Sequence, residues 1–373
     1  CTGGTPIDGN TVSIAVGEVV SCTLALNDIE PALTLNKAVT NDNGGTALPS
    51  AWTLTATGTS GFSGAGPSVS SGANFQAGGY DLSESGPAGY RASDWVCDGG
   101  AQVDGDTVLV GVGESVNCTI INDDIEPVLT LIKQVINDNG GSATGSSWTL
   151  AAMGPSAFSG AGPSVTNNPG FQAGTYDLIE TGGPTGYSPG PWVCNGGSQP
   201  DNDTVNVATG QSVVCTITND DNLAELTLIT QVVNDNGGTA IESDWSLNAI
   251  GPTGFSGPGP SVVSSADFQA GTYVLSQSGP AGYAASDWTC EGGNQVDTDT
   301  IIVDSGETVT CSLDNDDETP KLALVKQVTN DSGGTAIPSD WTLTATGPTG
   351  FVGTGPSIES GTGFEAGTYD LSQ

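Results

Sequence analysis

Apolar and polar residues alternate along much of this chain. The alternation is clearest in Leu129-Thr-Leu-Ile-Lys-Gln-Val-Ile-Asn-Asp-Asn-Gly-Gly141. A period of two places Leu129, Leu131, Lys133 and Val135 on one face of a strand. Leu33 to Gly45, Leu226 to Gly238 and Leu322 to Gly334 repeat the pattern. The leucine face is the buried one, so the pattern sends a lysine into a core. Of only four lysines, three stand at this point of the repeat: Lys37, Lys133 and Lys326.

The same reading carries through one repeat. After Leu33–Val39, the Asn-Gly of Asn41-Asp-Asn-Gly-Gly45 supplies positive φ for a turn. Trp52, Leu54 and Ala56 share a face of the next strand. Short strands are expected around Val69 and Phe75, and another over Ala77 to Glu84, ended by the turn Gly86-Pro-Ala-Gly-Tyr90. Asp94-Trp-Val-Cys97 opens the last section. There a hairpin across Gly111 to Glu114 is expected to join Asp106–Val110 to Ser115–Asn122. About seven short strands with frequent turns predict an all-β, Ig-like sandwich with no helix longer than a turn.

Trp52, Trp148, Trp245 and Trp341 are spaced by 96, 97 and 96 residues, as are Cys22, Cys118, Cys215 and Cys311. This period is too long for a solenoid unit and suits a small sandwich domain. The expected organisation is 1–30 as the C-terminal part of a repeat, then full repeats at 31–127, 128–224 and 225–320. Residues 321–373 are then the N-terminal part of another. The partial ends read as a window in a longer array, in preference to halves that complete each other between subunits.

The cysteines fall as Cys1/Cys22, Cys97/Cys118, Cys194/Cys215 and Cys290/Cys311, each pair 21 apart. One pair per repeat with none left over predicts four intradomain disulfides and an exported protein. Glycine (56) and proline (21) make up about a fifth of the chain. That falls short of the roughly 25–30% of low-complexity chains, so the glycines are assigned to turns. No apolar run reaches the roughly 20 residues of a membrane helix, so no membrane insertion is expected.

Charge narrows the functions. Five basic residues oppose 42 acidic ones, for a net charge of −37, and histidine is absent. Nucleic-acid binding lacks its basic footprint. Sites built on imidazole are excluded, and with them most nucleophilic enzymes. Acidity favours solubility and retained cations.

The pleat singles out three more positions. Glu84 follows Tyr80 and Leu82 on the inward side, and Asn122 follows Cys118 and Ile120. Lys37, Glu84 and Asn122 therefore aim into one core, as do Lys133, Glu180 and Asn219 in the next repeat. Buried polar groups must meet or each bears a large desolvation cost. The plainest outcome is a buried salt bridge with Asn as a hydrogen-bond partner. The third repeat has Thr230 and Gln277 in place of Lys and Glu, with Asn315 kept. Losing both charges together marks the two as partners. The last repeat pairs Lys326 with Gln373.

Ala-Gly-Thr-Tyr-Asp-Leu-x-Glu followed by Gly-Pro-x-Gly-Tyr resembles the central signature of collagen-adhesin B-type repeats, the prealbumin-like domains of SpaA-type pilins and bacterial surface stalks. Ala77 to Tyr90, Ala173 to Tyr187 and Ala270 to Tyr283 carry it, and Ala366 to Gln373 carries its first half. The disulfide and the Asn-Asp-Asn-Gly-Gly turn depart from that pattern. The resemblance implies that the trio forms an isopeptide bond. Desolvation favours the neutral amine, which can attack the Asn carboxamide, while a protonated Glu polarises the carbonyl and relays protons to departing ammonia. By this analogy Lys37–Asn122 and Lys133–Asn219 are the candidate bonds, with Glu84 and Glu180 as the catalytic acids. None is expected in the third repeat.

No cofactor is required, and Ca²⁺ is the one candidate. If strand A and the last strand end at the same pole, Asp42 and Asn43 lie near Asp123 and Asp124. The equivalents are Asp138 with Asp220 and Asp221, and Asp235 with Asp316 and Asp317. Carboxylate and amide oxygens at a junction suit calcium, but Asn, Asp and Gly are also ordinary turn formers and no EF-hand spacing is present. The function expected is a structural extracellular array: a cell-surface stalk, fibre or adhesin shaft. Its partners would be neighbouring copies of itself. The competing class is a calcium-dependent adhesin that holds a glycan or protein receptor.

Overall fold

A computed structural model describes residues 1–373. The opening segment forms one small hairpin, β1 (Thr5–Asp8) with β2 (Thr11–Ser13). The first full unit then runs β3 (Ala32–Thr40), β4 (Thr53–Gly58), β5 (Phe62–Ala65), β6 (Ser68–Ser70), β7 (Gly78–Ser85), β8 (Tyr90–Ala92), β9 (Val96–Asp98), β10 (Ala101–Gln102), β11 (Thr107–Val110) and β12 (Ser115–Asp124). Four single 3₁₀ turns, one before each repeat's Trp strand, are the whole helical content.

The strands make two facing sheets. One has the order β6-β3-β12-β8, with β9 also on β12, and the other is β10-β11-β7-β4-β5. The core lies between them. Leu33, Leu35, Leu54, Tyr80, Val108 and Cys118 are all at 0% exposure, and each large apolar side chain there contributes about 1.5–3 kcal/mol. The first and last strands of the unit are neighbours and run parallel, Ala32↔Ser115 through Thr40↔Asp123. The same parallel pairing joins Val128–Ile136 to Ser212–Asp221 and Glu225–Val233 to Thr308–Asp317.

Two expectations fail locally. The hairpin between β11 and β12 does not exist. β11 pairs β7 and β10 in one sheet, while β12 sits in the other between β3 and the β8/β9 edge. Gly111 to Glu114 is a crossover between layers. It lets Val108 and Val110 face Val116 and Cys118 across the core. Phe75 also lies outside any strand; its ring is buried from a turn, stacked 4.7 Å from Tyr80. The disulfides Cys1–Cys22, Cys97–Cys118, Cys194–Cys215 and Cys290–Cys311 all form, three of them across directly paired strand positions.

Residues 321–373 contribute two small sheets over a reduced core of Leu324, Leu343 and Ala345.

Candidate functional site

Lys37 reaches the core because β3 is paired on both edges and its Leu33, Leu35, Lys37 side faces inward. On β12, Ile120 lies opposite Lys37 and Asn122 opposite Val39. Asn122 is thus the diagonal neighbour of Lys37 on the same face. Glu84 comes from the other layer, on the Tyr80–Leu82 side of β7. The Lys37 side chain is fully buried, with Nζ 3.0 Å from Glu84 Oε2 and 4.9 Å from the centre of the Trp52 ring. Burial pushes the Lys37 ammonium below its ordinary pKa, and Glu84 only partly opposes this. In the second unit Lys133 Nζ lies 3.3 Å from Glu180 Oε1 and 4.6 Å over Trp148, and burial lowers this amine too. Asn219 Nδ2 donates to Glu180 Oε1 at 2.7 Å.

These sites hold polar atoms without partners. Lys37 Nζ and Glu84 Oε2 meet only each other, as an ion pair, and Asn122 Oδ1 is buried with no partner at all. Asn219 Oδ1 is bare as well. A buried group left unpaired costs about 1–3 kcal/mol. The third unit differs. Asn315 Nδ2 donates to Thr230 Oγ1 at 2.8 Å and to Gln277 Oε1 at 3.1 Å. Gln277 Nε2 donates to Asn315 Oδ1 at 2.6 Å. That network is neutral and closed. Lys326 Nζ donates to Gln373 Oε1 at 2.5 Å and lies 4.6 Å over Trp341.

The parallel strands also bring the acidic turn residues to one pole. Asp42, Asp123 and Asp124 present carboxylate oxygens within 4.8 Å of one another, as do Asp138, Asp220 and Asp221, and Asp235, Asp316 and Asp317. Asp124 is buried and already engaged. It accepts the N–H groups of Asp42 (3.0 Å), Asn43 (3.0 Å) and Gly45 (2.6 Å). Burial alone would raise its pKa, but those three donors together hold it below the ordinary value. Asp221 and Asp317 each accept the corresponding three N–H groups. Asn43 Nδ2 donates to Asp42 Oδ1 and to the Asp124 carbonyl, so its amide bridges strand ends.

The turn touches the following unit. Asn43 O accepts from Ala173 N–H at 2.7 Å, Asn139 O from Ala270 at 2.8 Å, and Asn236 O from Ala366 at 2.7 Å. The connecting Ile125 donates to Gly89 O on one side and accepts from Gly210 N–H on the other. Gly44 sits at φ +88°, and a Cβ there would come within 2.6 Å of the Ala173 backbone.

Parity could have revealed the role of Asp124: if Asn122 faces inward, so does Asp124, two residues on. Tyr90 also braces the turn after β3. Its hydroxyl donates to Asn41 Oδ1 at 2.7 Å and accepts the Ala47 N–H at 3.0 Å. Its ring meets Trp52 edge-on at 5.1 Å.

The SpaA-type prealbumin-like fold domain matches residues 28–120, 124–217, 221–313 and 317–373, and the chain belongs to that family. No curated protein matches it. Among solved structures it is similar to the Bacillus anthracis TIE protein, at 13% identity and TM-score 0.42 over 84% of this chain and 59% of that one. It is also similar to two B repeat units of the Staphylococcus aureus collagen binding protein, at 9% identity and TM-score 0.24 over 91% of this chain and 92% of that one. A Streptococcal ancillary pilin is 13% identical, with TM-score 0.19, over 79% of this chain and 100% of that one. The chain thus spans 59% of the TIE protein's length.

Proposed function

We propose that this chain is an exported shaft, part of a stalk, fibre or adhesin, whose first and second full units are closed by Lys37–Asn122 and Lys133–Asn219 isopeptide bonds. The observation that carries the reading is the meeting of a buried amine, a carboxylate and a carboxamide in those two units, with the Asn122 and Asn219 Oδ1 atoms left unbonded, set against the closed network of the third. A neutral lysine amine attacks the Asn Cγ. The new N–C bond replaces the old one, and the carboxamide nitrogen leaves as ammonia, with Glu84 or Glu180 shuttling the proton. No outside reagent is needed. Each bond joins the first strand of a unit to its last, so tension entering the unit passes through a covalent link. Localisation at the cell surface and assembly with neighbouring copies follow from this role.

Intact mass before and after reduction tests the reading. The expected result is two ammonias missing, with cross-linked Lys37–Asn122 and Lys133–Asn219 peptides after digestion. A mass short of only the disulfide hydrogens would sink it and leave two buried ion pairs.

Calcium at the junctions is a second reading. Its support is the three-carboxylate cluster, together with an Asp42 carboxyl held above its usual range by burial, then by Asp123 and Asp124. Asp42 and Asp123 would be the ligands, since Asp124 is occupied by backbone donors. Millimolar calcium should then raise Tm in the native chain and leave the triple variant Asp42→Asn, Asp138→Asn, Asp235→Asn unchanged. Equal response in both would remove the site.

A further inference from the structure

The third full unit departs from the first two at the one place where a covalent closure could form. Thr230 stands where Lys37 and Lys133 stand, and Gln277 where Glu84 and Glu180 stand. The replacements form a finished structure in their own right. Thr230 and Asn315 are each 1% exposed, and the hydrogen bonds among Thr230, Gln277 and Asn315 leave no buried orphan in the set. The trio contains no amine, and no acid or base that could take a proton from the Thr230 hydroxyl. Neither an amide nor an ester link can form by the chemistry of the other units. Another site is also without an amide: Leu26 follows Cys22 by four residues, as Asn122 follows Cys118.

The route of tension is otherwise the same. The chain enters the third unit at the start of Glu225–Val233 and leaves at the end of Thr308–Asp317. These strands are parallel neighbours registered from Glu225↔Thr308 to Val233↔Asp316. Pulling the two ends apart slides one strand along the other, so the ladder bonds are strained together instead of one at a time. The unit therefore resists, then yields as a whole. Its disulfide Cys290–Cys311 lies inside the stretch between Thr230 and Asn315 and limits how far it opens.

We infer that the third unit is the extensible one of the three full units: a force-absorbing segment whose travel is set by its disulfide. The inference rests on the isopeptide reading of the first two units. Thr230 and Asn315 are 85 residues apart and touch in the fold, and the disulfide withholds a loop of 21. The remaining 64 steps extend by about 220 Å, and all 85 by about 300 Å, at 3.3–3.6 Å per residue.

Single-molecule pulling of the full chain between marker domains tests this, alongside its intact mass. The expected record has one full-unit event of about 220 Å, lengthening to about 300 Å under reductant, in a chain missing two ammonias. Lys37→Ala should add a second full-unit event. The double variant Thr230→Lys, Gln277→Glu should lose the third unit's event along with a further ammonia. Three full-unit events in a chain that has lost no ammonia would refute the isopeptide reading and, with it, this contrast. Two ammonias lost but no full-unit event at marker-breaking force would overturn the extensible unit alone. A third ammonia lost from the native chain would do the same, by revealing a link in that unit.

Discussion

A lysine amine, a carboxylate and a carboxamide meet at the edge of the core beside a tryptophan, and single-residue changes there have separable outcomes. On the isopeptide reading, Glu84→Gln removes the proton carrier of the first unit and keeps its shape. The ammonia deficit should fall from two to one, with the Lys133–Asn219 peptide still cross-linked. A deficit of two in that variant would show that Glu84 is dispensable. The amine also sets a pH signature. In a chain with Asn122→Ala and Asn219→Ala the lysines stay free, and burial holds both below the ordinary 10.5. Between the lowered value and 10.5 the unfolded chain binds more protons than the folded one, so stability should rise with pH across that window. A native chain closed by the proposed bonds would have amides in place of those amines and should lack that rise. Urea midpoints at a series of pH values compare the two; parallel curves would count against free, buried amines.

At the scale of the element, the turn after β3 and the end of β12 act as one unit through Asp124. Its carboxylate gathers three N–H groups from a turn that Asn41 and Tyr90 also brace. Asp124→Asn keeps the volume but loses the charge and one acceptor oxygen. The expected cost is about 1–3 kcal/mol, with faster hydrogen exchange at Gly45; unchanged exchange there would mean the turn holds itself. The lowered pKa values of Asp124 and Asp317 also fix a sign. Their stabilisation is present above the ordinary carboxylate value of 3.8 and is lost as pH falls through the lower folded value. Strands and facing sides were legible in the sequence because a period of two decides inward from outward, and that alone aimed Lys37, Glu84 and Asn122 at one another. Sheet membership was not legible. β11 and β12 look like a hairpin by composition, yet local pattern carries no information about which layer a strand joins. Phe75 was misplaced for a related reason, since a turn can bury a ring as well as a strand can.

Across the whole molecule, each junction is made by backbone atoms. Asn43 reaches Ala173, Asn139 reaches Ala270, Asn236 reaches Ala366, and Ile125 ties Gly89 to Gly210. Gly44→Ala collides with the next unit while leaving both cores intact. X-ray scattering from that variant should show a broader distribution of end-to-end distances with unchanged circular dichroism. A distribution like that of the native chain would mean the junction is held elsewhere. Repulsion within a chain of net charge −37 adds to stiffness at low salt and is screened beyond about 10 Å at 0.1 M.

The junction contacts carry one more consequence. The Asn carbonyl of each turn meets the same Ala N–H one period later, so every boundary is interchangeable with every other. Inserting or deleting a whole period changes reach without asking any surface to adapt, whereas a partial deletion leaves a turn with nothing to dock on. Length in such a protein is a free parameter, counted in repeats.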